Sequence, residues 1–347
     1  MPSAKPLSSS PSNLVWGSEM KPSAIRATLP HLIKEQQPVF LWGPPGVGKS
    51  DVVAQIAQDM KFELRDVRLS LLDPIDLKGF PTIDTVKKQM KWLPADFLPT
   101  KGKGLLFLDE MNSAPQSVQA AAYQLVLNRK IGDYELPVGW SIMAAGNRAG
   151  DRSVVHAQPA ALANRFMHLD FEVSTDDWNI WAMGNEIHDD LRAFIQFRPN
   201  LLHCFDAATN PRAFPTPRSW SFVNKVYKKN MSHDMEFELI KGTVGDGAAA
   251  EFSGFVRQIK DLPRVDAVLL DPEGTKVPVN PAGMYAMATA LDAKATTNNL
   301  DRIMLYVTRM PVEFQTVFIR SAIRRDDKLT GTKAFQAWGI KNQAVLV

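Results

Sequence analysis

Hydrophobic and polar positions follow two regimes along this chain. From residue 39 to about 173, short apolar runs of strand length alternate with helical patterns. VFLW (39–42) runs into a glycine-rich turn. Behind it apolar residues fall at Val52, Val53, Ile56, Ala57 and Met60, the i, i+3, i+4 spacing of an amphipathic helix. FELRDVRLS (62–70) reads as the next strand. LLFLDE (105–110) is apolar up to two acids, as in a strand buried on both faces of a parallel sheet. QSVQAAAYQLVLN (116–128) is helical by alanine content and period, WSIMAAGN (140–147) is a further strand, and RFMHLDFEV (165–173) another. This alternation predicts a doubly wound α/β domain. Two segments, TIDTVKKQMKWLP (82–94) and RKIGDYELPVGW (129–140), read as β-hairpins that a plain doubly wound domain does not need.

Beyond residue 174 the pattern turns helical. TDDWNIWAMGNE, HDDLRAFIQF, SWSFVNKVYKK, GDGAAAEFSGFVRQIK, PAGMYAMATAL and NLDRIMLYVTRMPVEFQTVFIRSAIRR all carry helical spacing, with proline-rich joints such as NPRAFPTPR (210–218). No repeat period emerges, which excludes a solenoid. The expected organisation is a disordered lead-in over 1–13, an α/β domain over 14–173, a helical domain over 174–261 and a helical C-terminal extension over 262–347.

Composition changes this picture little. Of 347 residues, 45% are hydrophobic and 22% charged, ordinary for a globular chain of two or so domains. The 40 basic and 37 acidic residues are interspersed, so a net charge of +3 gives no argument for nucleic acid. The single cysteine, Cys204, excludes an internal disulfide and a cysteine-based zinc cluster, and its apolar setting in NLLHCF predicts a small buried hydrophobe. No apolar run approaches the ~20 residues of a membrane span, and MPSAKPLSSSPSN (1–13) has no secretory apolar core. A cytoplasmic protein without membrane insertion is expected.

The chemistry begins at GPPGVGKS (43–50), a full G-x-x-x-x-G-K-[ST] loop between a strand and a helix. Gly43, Pro44, Pro45, Gly46, Val47, Gly48, Lys49, Ser50 and the following Asp51 form the candidate nucleotide-holding set. Glycines let backbone N–H groups turn around a phosphate, and the helix N-terminus adds its positive end. Lys49 suits the β- and γ-phosphates of ATP, and Ser50 suits Mg2+. Asp109, ending a buried strand, is the second candidate magnesium residue. Glu110 beside it is positioned to polarise an attacking water, which favours hydrolysis over transfer to an acceptor. Acids also end strands merely because they meet solvent; the upstream loop is what gives this pair its weight. Asn147 reads either as a turn-former or as an amide that holds the water or the γ-phosphate. Arg165 and Arg218 are candidates for charge at the γ-phosphate, with surface ion pairing as the simpler account of two arginines taken alone.

In this order the motifs resemble those of AAA+ ATPases: phosphate loop, apolar-DE strand, strand-ending Asn, Asn-Arg-Phe, then Pro-Arg-Ser in a helical region. GPPGVGKS, DLKGFP (76–81), WLPADFLP (92–99), LLFLDEMNSAPQSVQAAAYQLVLNRKIG (105–132) and TPRSW (216–220) are similar to the MoxR branch, over roughly residues 16–227. The two hairpins resemble that group's helix-2 and pre-sensor inserts. The resemblance implies an AAA+ P-loop fold followed by a helical lid, with Asn147 as sensor 1 and Arg218 as sensor 2. Arg165 would be an arginine finger acting on a neighbouring subunit's nucleotide, with Arg148 as the alternative. It also implies a homo-oligomeric ring, commonly a hexamer, that remodels or activates a protein client alongside a von Willebrand factor A domain partner. One departure stands out: MNSAP carries Ser113 where many relatives have arginine.

Two functions follow. One is ATP-driven, chaperone-like remodelling of a protein complex. The other is a nucleic-acid translocase or helicase-like motor, because Lys87, Lys88 and Lys91 with Trp92 give the first hairpin a basic-aromatic character. A solvated hairpin tip explains the same lysines.

Overall fold

The computed structural model describes residues 19–342 except 87, 149, 151–155, 157–159 and 207–211. Contacts divide the chain into two compact units. The first contains Met1–Gly43, Lys49–Ala149 and Ser153–Glu172; the second contains Pro44–Gly48, Gly150–Arg152 and Val173–Val347.

The first unit opens with α1 (Pro22–Lys34), which buries Ile25, Leu29 and Ile33. Then come β1 (Val39–Trp42), α2 (Lys49–Asp59), β2 (Glu63–Arg68) and the short α3 (Pro74–Lys78). A hairpin of β3 (Phe80–Asp84) and β4 (Gln89–Leu93) precedes β5 (Gly104–Asp109) and α4 (Gln116–Asn128). A smaller hairpin, β6 (Lys130–Ile131) and β7 (Tyr134–Glu135), leads to β8 (Trp140–Gly146), α5 (Ala160–Ala163) and β9 (Met167–Asp170).

Five strands form one parallel sheet in the order β2-β5-β8-β1-β9. Its centre explains its sequence. Every residue of β5 and of β8 is buried, so neither strand alternates polar and apolar positions. Phe40, Leu106, Leu108, Ile142 and Ala144 join Val118, Ala122 and Leu125 of α4 in one core. The register brings the strand ends level, Trp42 opposite Gly146 and Arg68 opposite Asp109, so the chain leaves β1, β5 and β8 at one edge of the sheet. That edge is where open α/β sheets present ligand-binding residues.

Both hairpins form where the sequence predicts them, with Phe80 opposite Leu93, Ile83 opposite Met90, and Ile131 opposite Tyr134. The first is unusual for its surface: Phe80, Ile83, Val86, Met90 and Leu93 are all exposed.

The second unit contains α6 (Thr175–Gly184), α7 (Asp189–Phe197), α8 (Pro217–Val226), α9 (His233–Val244) and α10 (Asp246–Ile259). It continues with α11 (Val265–Leu270), α12 (Pro281–Lys294), α13 (Leu300–Val307), α14 (Val312–Arg325) and α15 (Lys333–Lys341). Two apolar clusters hold it, and α12 serves both, through Ala282 and Ala286 on one and Met287 and Leu291 on the other. The long helical pattern over residues 299–325 is two helices rather than one. Pro311 cannot continue a helix backbone and stands as the N-cap of α14.

Cys204 departs from expectation, being free and exposed. The apolar run around it is a short 3-10 turn (Pro199–Leu201), and it turns Leu201 and Leu202 inward while Cys204 faces out.

Candidate functional site

The loop leaving β1 is built for close approach of backbone. Gly46 and Gly48 have φ of 77° and 98°, left-handed values that L side chains rarely adopt. Within the second unit, a Cβ on Gly46 would lie 2.9 Å from Thr216 Oγ1. Thr216 caps α8 in a reciprocal box: the Ser219 N–H donates to Thr216 Oγ1 at 2.9 Å, and the Thr216 N–H donates to Ser219 Oγ at 2.7 Å. The Arg218 N–H donates to Gly46 O at 3.3 Å, while the Arg218 side chain is exposed. The proline-arginine pair therefore sits at a helix start beside the loop's glycine, which accounts for their position in the sequence.

In the first unit, α2 begins at Lys49, which leaves its first N–H groups without partners inside the helix. Lys49 is buried, and its Nζ donates to Gly43 O at 2.6 Å and to Asn147 Oδ1 at 3.2 Å. The Ser50 hydroxyl donates to Asp109 Oδ2 at 2.8 Å. Asp51 lies in the first helical turn with its side chain exposed. Lys49, Ser50, Asp109 and Asn147, drawn from three separate stretches of sequence, thus meet at the sheet's edge.

Glu110 lies just outside β5, with φ 54°. Its N–H donates to Asp109 Oδ1 at 2.8 Å, and its carboxylate accepts from the Ser70 hydroxyl. A non-glycine residue in the left-handed region is uncommon and is held only where its surroundings fix it. Here strand geometry ends at Asp109, and the Ser70 hydroxyl holds the Glu110 carboxylate. A third acid, Asp66 on β2, stands near both. Partial burial first, and then the charge of Asp109, pushes its carboxyl above the usual carboxylate range.

Asn112 is a residue that the sequence does not single out. It is 3% exposed, its Nδ2 donates to Asn147 O at 2.6 Å, and its Oδ1 accepts from the Asn147 N–H at 3.2 Å. It therefore clamps the backbone of Asn147 from both sides. Gly146 is what permits this, since a Cβ there would fall 2.2 Å from Asn112 Oδ1. The M-N-S sequence offers no period or motif that reveals this task.

The two candidate finger arginines differ. Arg148 Nη1 pairs with Glu19 at 2.7 Å and its Nε with Asp170 at 3.2 Å, within the same unit. Arg165 is exposed, and no hydrogen bond or ion pair joins its side chain to another described residue.

A phosphate loop leaving a central parallel strand, with acids at the end of its second neighbour, defines a P-loop α/β fold of AAA type. Residues 38–166 match the family model described as AAA domain (dynein-related subfamily). Midasin of Giardia intestinalis is 26% identical over 166 residues, which is 45% of this chain and 3% of that protein. This chain therefore spans a small part of that relative's length. Among solved structures, the Thermotoga maritima RuvB Holliday junction branch migration motor has 19% identity and a TM-score of 0.38, covering 72% of this chain and 73% of that one. Brucella abortus NtrX in complex with ADP has 14% identity and a TM-score of 0.36, covering 94% and 68%. No helix among the described residues is long and apolar enough to cross a membrane.

Proposed function

We propose that this chain binds ATP with magnesium at the sheet edge and hydrolyses it, as one subunit of a MoxR-like AAA+ ring. The observation that carries the reading is the meeting of the Ser50 hydroxyl with Asp109 at 2.8 Å, beside a buried Lys49 held by Gly43 O and Asn147. A hydroxyl and a carboxylate oxygen are hard ligands and fit magnesium, which when bound supplies positive charge against the phosphates. Lys49 adds charge at the β- and γ-phosphates, and the N–H groups of the loop orient them. Glu110 polarises the attacking water. Asn147, clamped by Asn112, holds that water or the γ-phosphate, and Arg218 is the sensor 2 candidate that the Pro-Arg-Ser motif implies.

Arg165 is assigned as the finger that reaches a neighbouring subunit's nucleotide, because its guanidinium is exposed while Arg148 is engaged with Glu19 and Asp170. The ring is proposed as a hexamer in the cytoplasm that remodels a protein client with a von Willebrand factor A domain partner. Support for a protein client comes from the first hairpin, whose exposed side chains are mainly apolar. Lys88 and Lys91, exposed on the same hairpin, support the nucleic-acid motor as second reading.

Phosphate release from ATP by the full chain tests the proposal. Turnover should require magnesium and rise with protein concentration as subunits assemble. Arg165→Ala should lose about 1,000-fold in turnover with ATP affinity nearly intact, the scale of a trans-acting arginine. Parental turnover in that variant would remove the shared-site assignment. Stimulation by DNA at physiological salt would favour the motor.

A further inference from the structure

Between β1 and the turn that carries Arg165 runs a chain of contacts that the chemistry above does not use. The Trp42 indole Nε1–H donates to His168 Nδ1 at 2.8 Å, and His168 Nε2 lies 2.8 Å from Ala163 O. Indole can only donate, so Nδ1 must accept, and the imidazole proton sits on Nε2 and is given to the carbonyl. Both ring nitrogens are thereby engaged in one tautomer. Ala163 ends α5, and the next two residues are Asn164 and Arg165.

A second grip acts on the same turn. The Phe166 N–H also donates to Ala163 O, at 3.2 Å, and the Arg165 N–H donates to Leu162 O at 3.0 Å. The Phe166 ring meets Phe40 edge-on at 5.4 Å, Phe40 lies 4.2 Å from Trp42, and Trp42 stacks on His168 at 5.9 Å. The turn bearing Arg165 is thus held through two side chains, His168 and Phe166, that both rest on β1. Trp42 is the residue immediately before Gly43.

We infer that His168 is a positioning residue: with Trp42 it fixes the Arg165 turn to the strand that carries the phosphate loop. The angle at which a subunit presents its finger is thereby tied to the start of its own nucleotide loop. This rests on the reading of Arg165 as the finger. Bulk packing alone would need the ring but not the two hydrogen bonds, and that difference makes the inference testable.

The experiment measures ATP turnover and nucleotide affinity of the assembled full chain for His168→Phe, His168→Gln, Trp42→Phe and Arg165→Ala, with His168→Phe also combined with Arg165→Ala. Small displacements of a charge-stabilising group cost rate steeply, so His168→Phe and Trp42→Phe should each lower kcat about tenfold while affinity for ATP stays within about twofold. His168→Gln, which keeps a donor and an acceptor, should recover part of the loss. In the Arg165→Ala background, His168→Phe should cost nothing further. An undiminished tenfold loss in that background would show that His168 acts elsewhere and overturn the inference. Parental kcat in both His168→Phe and Trp42→Phe, with Arg165→Ala impaired, would overturn it alone. Parental kcat in Arg165→Ala would sink the finger reading and this inference together.

Discussion

The chain contains two clusters of charged and polar side chains that look alike in composition and differ in what they leave open. At the sheet edge, Asp66, Asp109 and Glu110 stand near one another, and burial first, then the charge of Asp109, raises the Asp66 carboxyl. In the helical unit, the fully buried Asp292 accepts from Arg192 Nη2 at 3.1 Å and from Ser321 Oγ at 2.6 Å, with Arg325 Nε at 3.3 Å. Asn179 closes the circuit, accepting from Arg192 Nε at 3.0 Å and donating to Ser321 Oγ at 3.0 Å. One cluster keeps like charges together, an arrangement that a divalent cation relieves. The other pairs opposite charges inside the fold and binds α6, α7, α12 and α14 to each other. Crowded acids at a strand end are a mark of chemistry, and a closed polar circuit is a mark of structure.

The largest expected effect breaks the second cluster. Asp292→Ala takes from Arg192 its buried carboxylate, leaving only the exposed Asp189, and should cost about 3–5 kcal/mol, read as a fall in the denaturation midpoint. Replacing both partners, as Arg192→Met with Asp292→Leu, should recover most of that loss, because an apolar pair of similar volume leaves no fully buried charge unpaired, Arg325 and Asp189 both reaching solvent. If the double replacement were no better than Asp292→Ala, the circuit would not be the source of the stability. ATP turnover per folded molecule should be unchanged throughout.

A smaller effect lies in the first cluster. Asn112→Ala removes both hydrogen bonds to Asn147 and should cost about 1–3 kcal/mol of stability, the penalty of leaving buried backbone groups unpaired. It should also lower kcat about tenfold with little change in ATP affinity, because Asn147 would lose its fixed position. Loss of stability with kcat untouched would make Asn112 a purely structural residue.

The smallest effect tests the raised carboxyl of Asp66. A carboxyl whose folded pKa is raised binds its proton more tightly in the folded chain, so stability falls as pH rises from about 3.8 through the folded value. Asp66→Asn should therefore unfold at a slightly higher temperature than the parent at neutral pH, and the gap should close as pH drops below that window. A gap that persists in acid would assign the gain to packing.

Why one cluster could be read from sequence and the other could not follows from chain distance. Gly43 to Ser50 is contiguous, and Asp109 and Glu110 end an apolar run, so local pattern carries them. Arg192 and Asp292 lie 100 residues apart, and each looks like an ordinary helix-surface charge until the fold buries both. Asn112 escapes for the same reason: its partner Asn147 is 35 residues away and is gripped by its backbone. The sheet was legible because β5 and β8 are apolar apart from Asp109 and Ser141 and strand and helix periods alternate cleanly. α1 was not, because Pro30 sits inside it and reads as a breaker. Cys204 misleads in the opposite way, since an apolar neighbourhood in sequence became an irregular turn that faces solvent.

In the proposed ATPase, Glu110 is the group that activates water. The most direct measurement of that role is single-turnover hydrolysis of ATP with magnesium by the assembled parent and by Glu110→Gln, with nucleotide affinity measured on the same samples. ATP affinity should stay within about twofold of the parent and hydrolysis should slow about 100-fold or more, since only the group that activates water has changed. Hydrolysis at the parental rate by Glu110→Gln would contradict it.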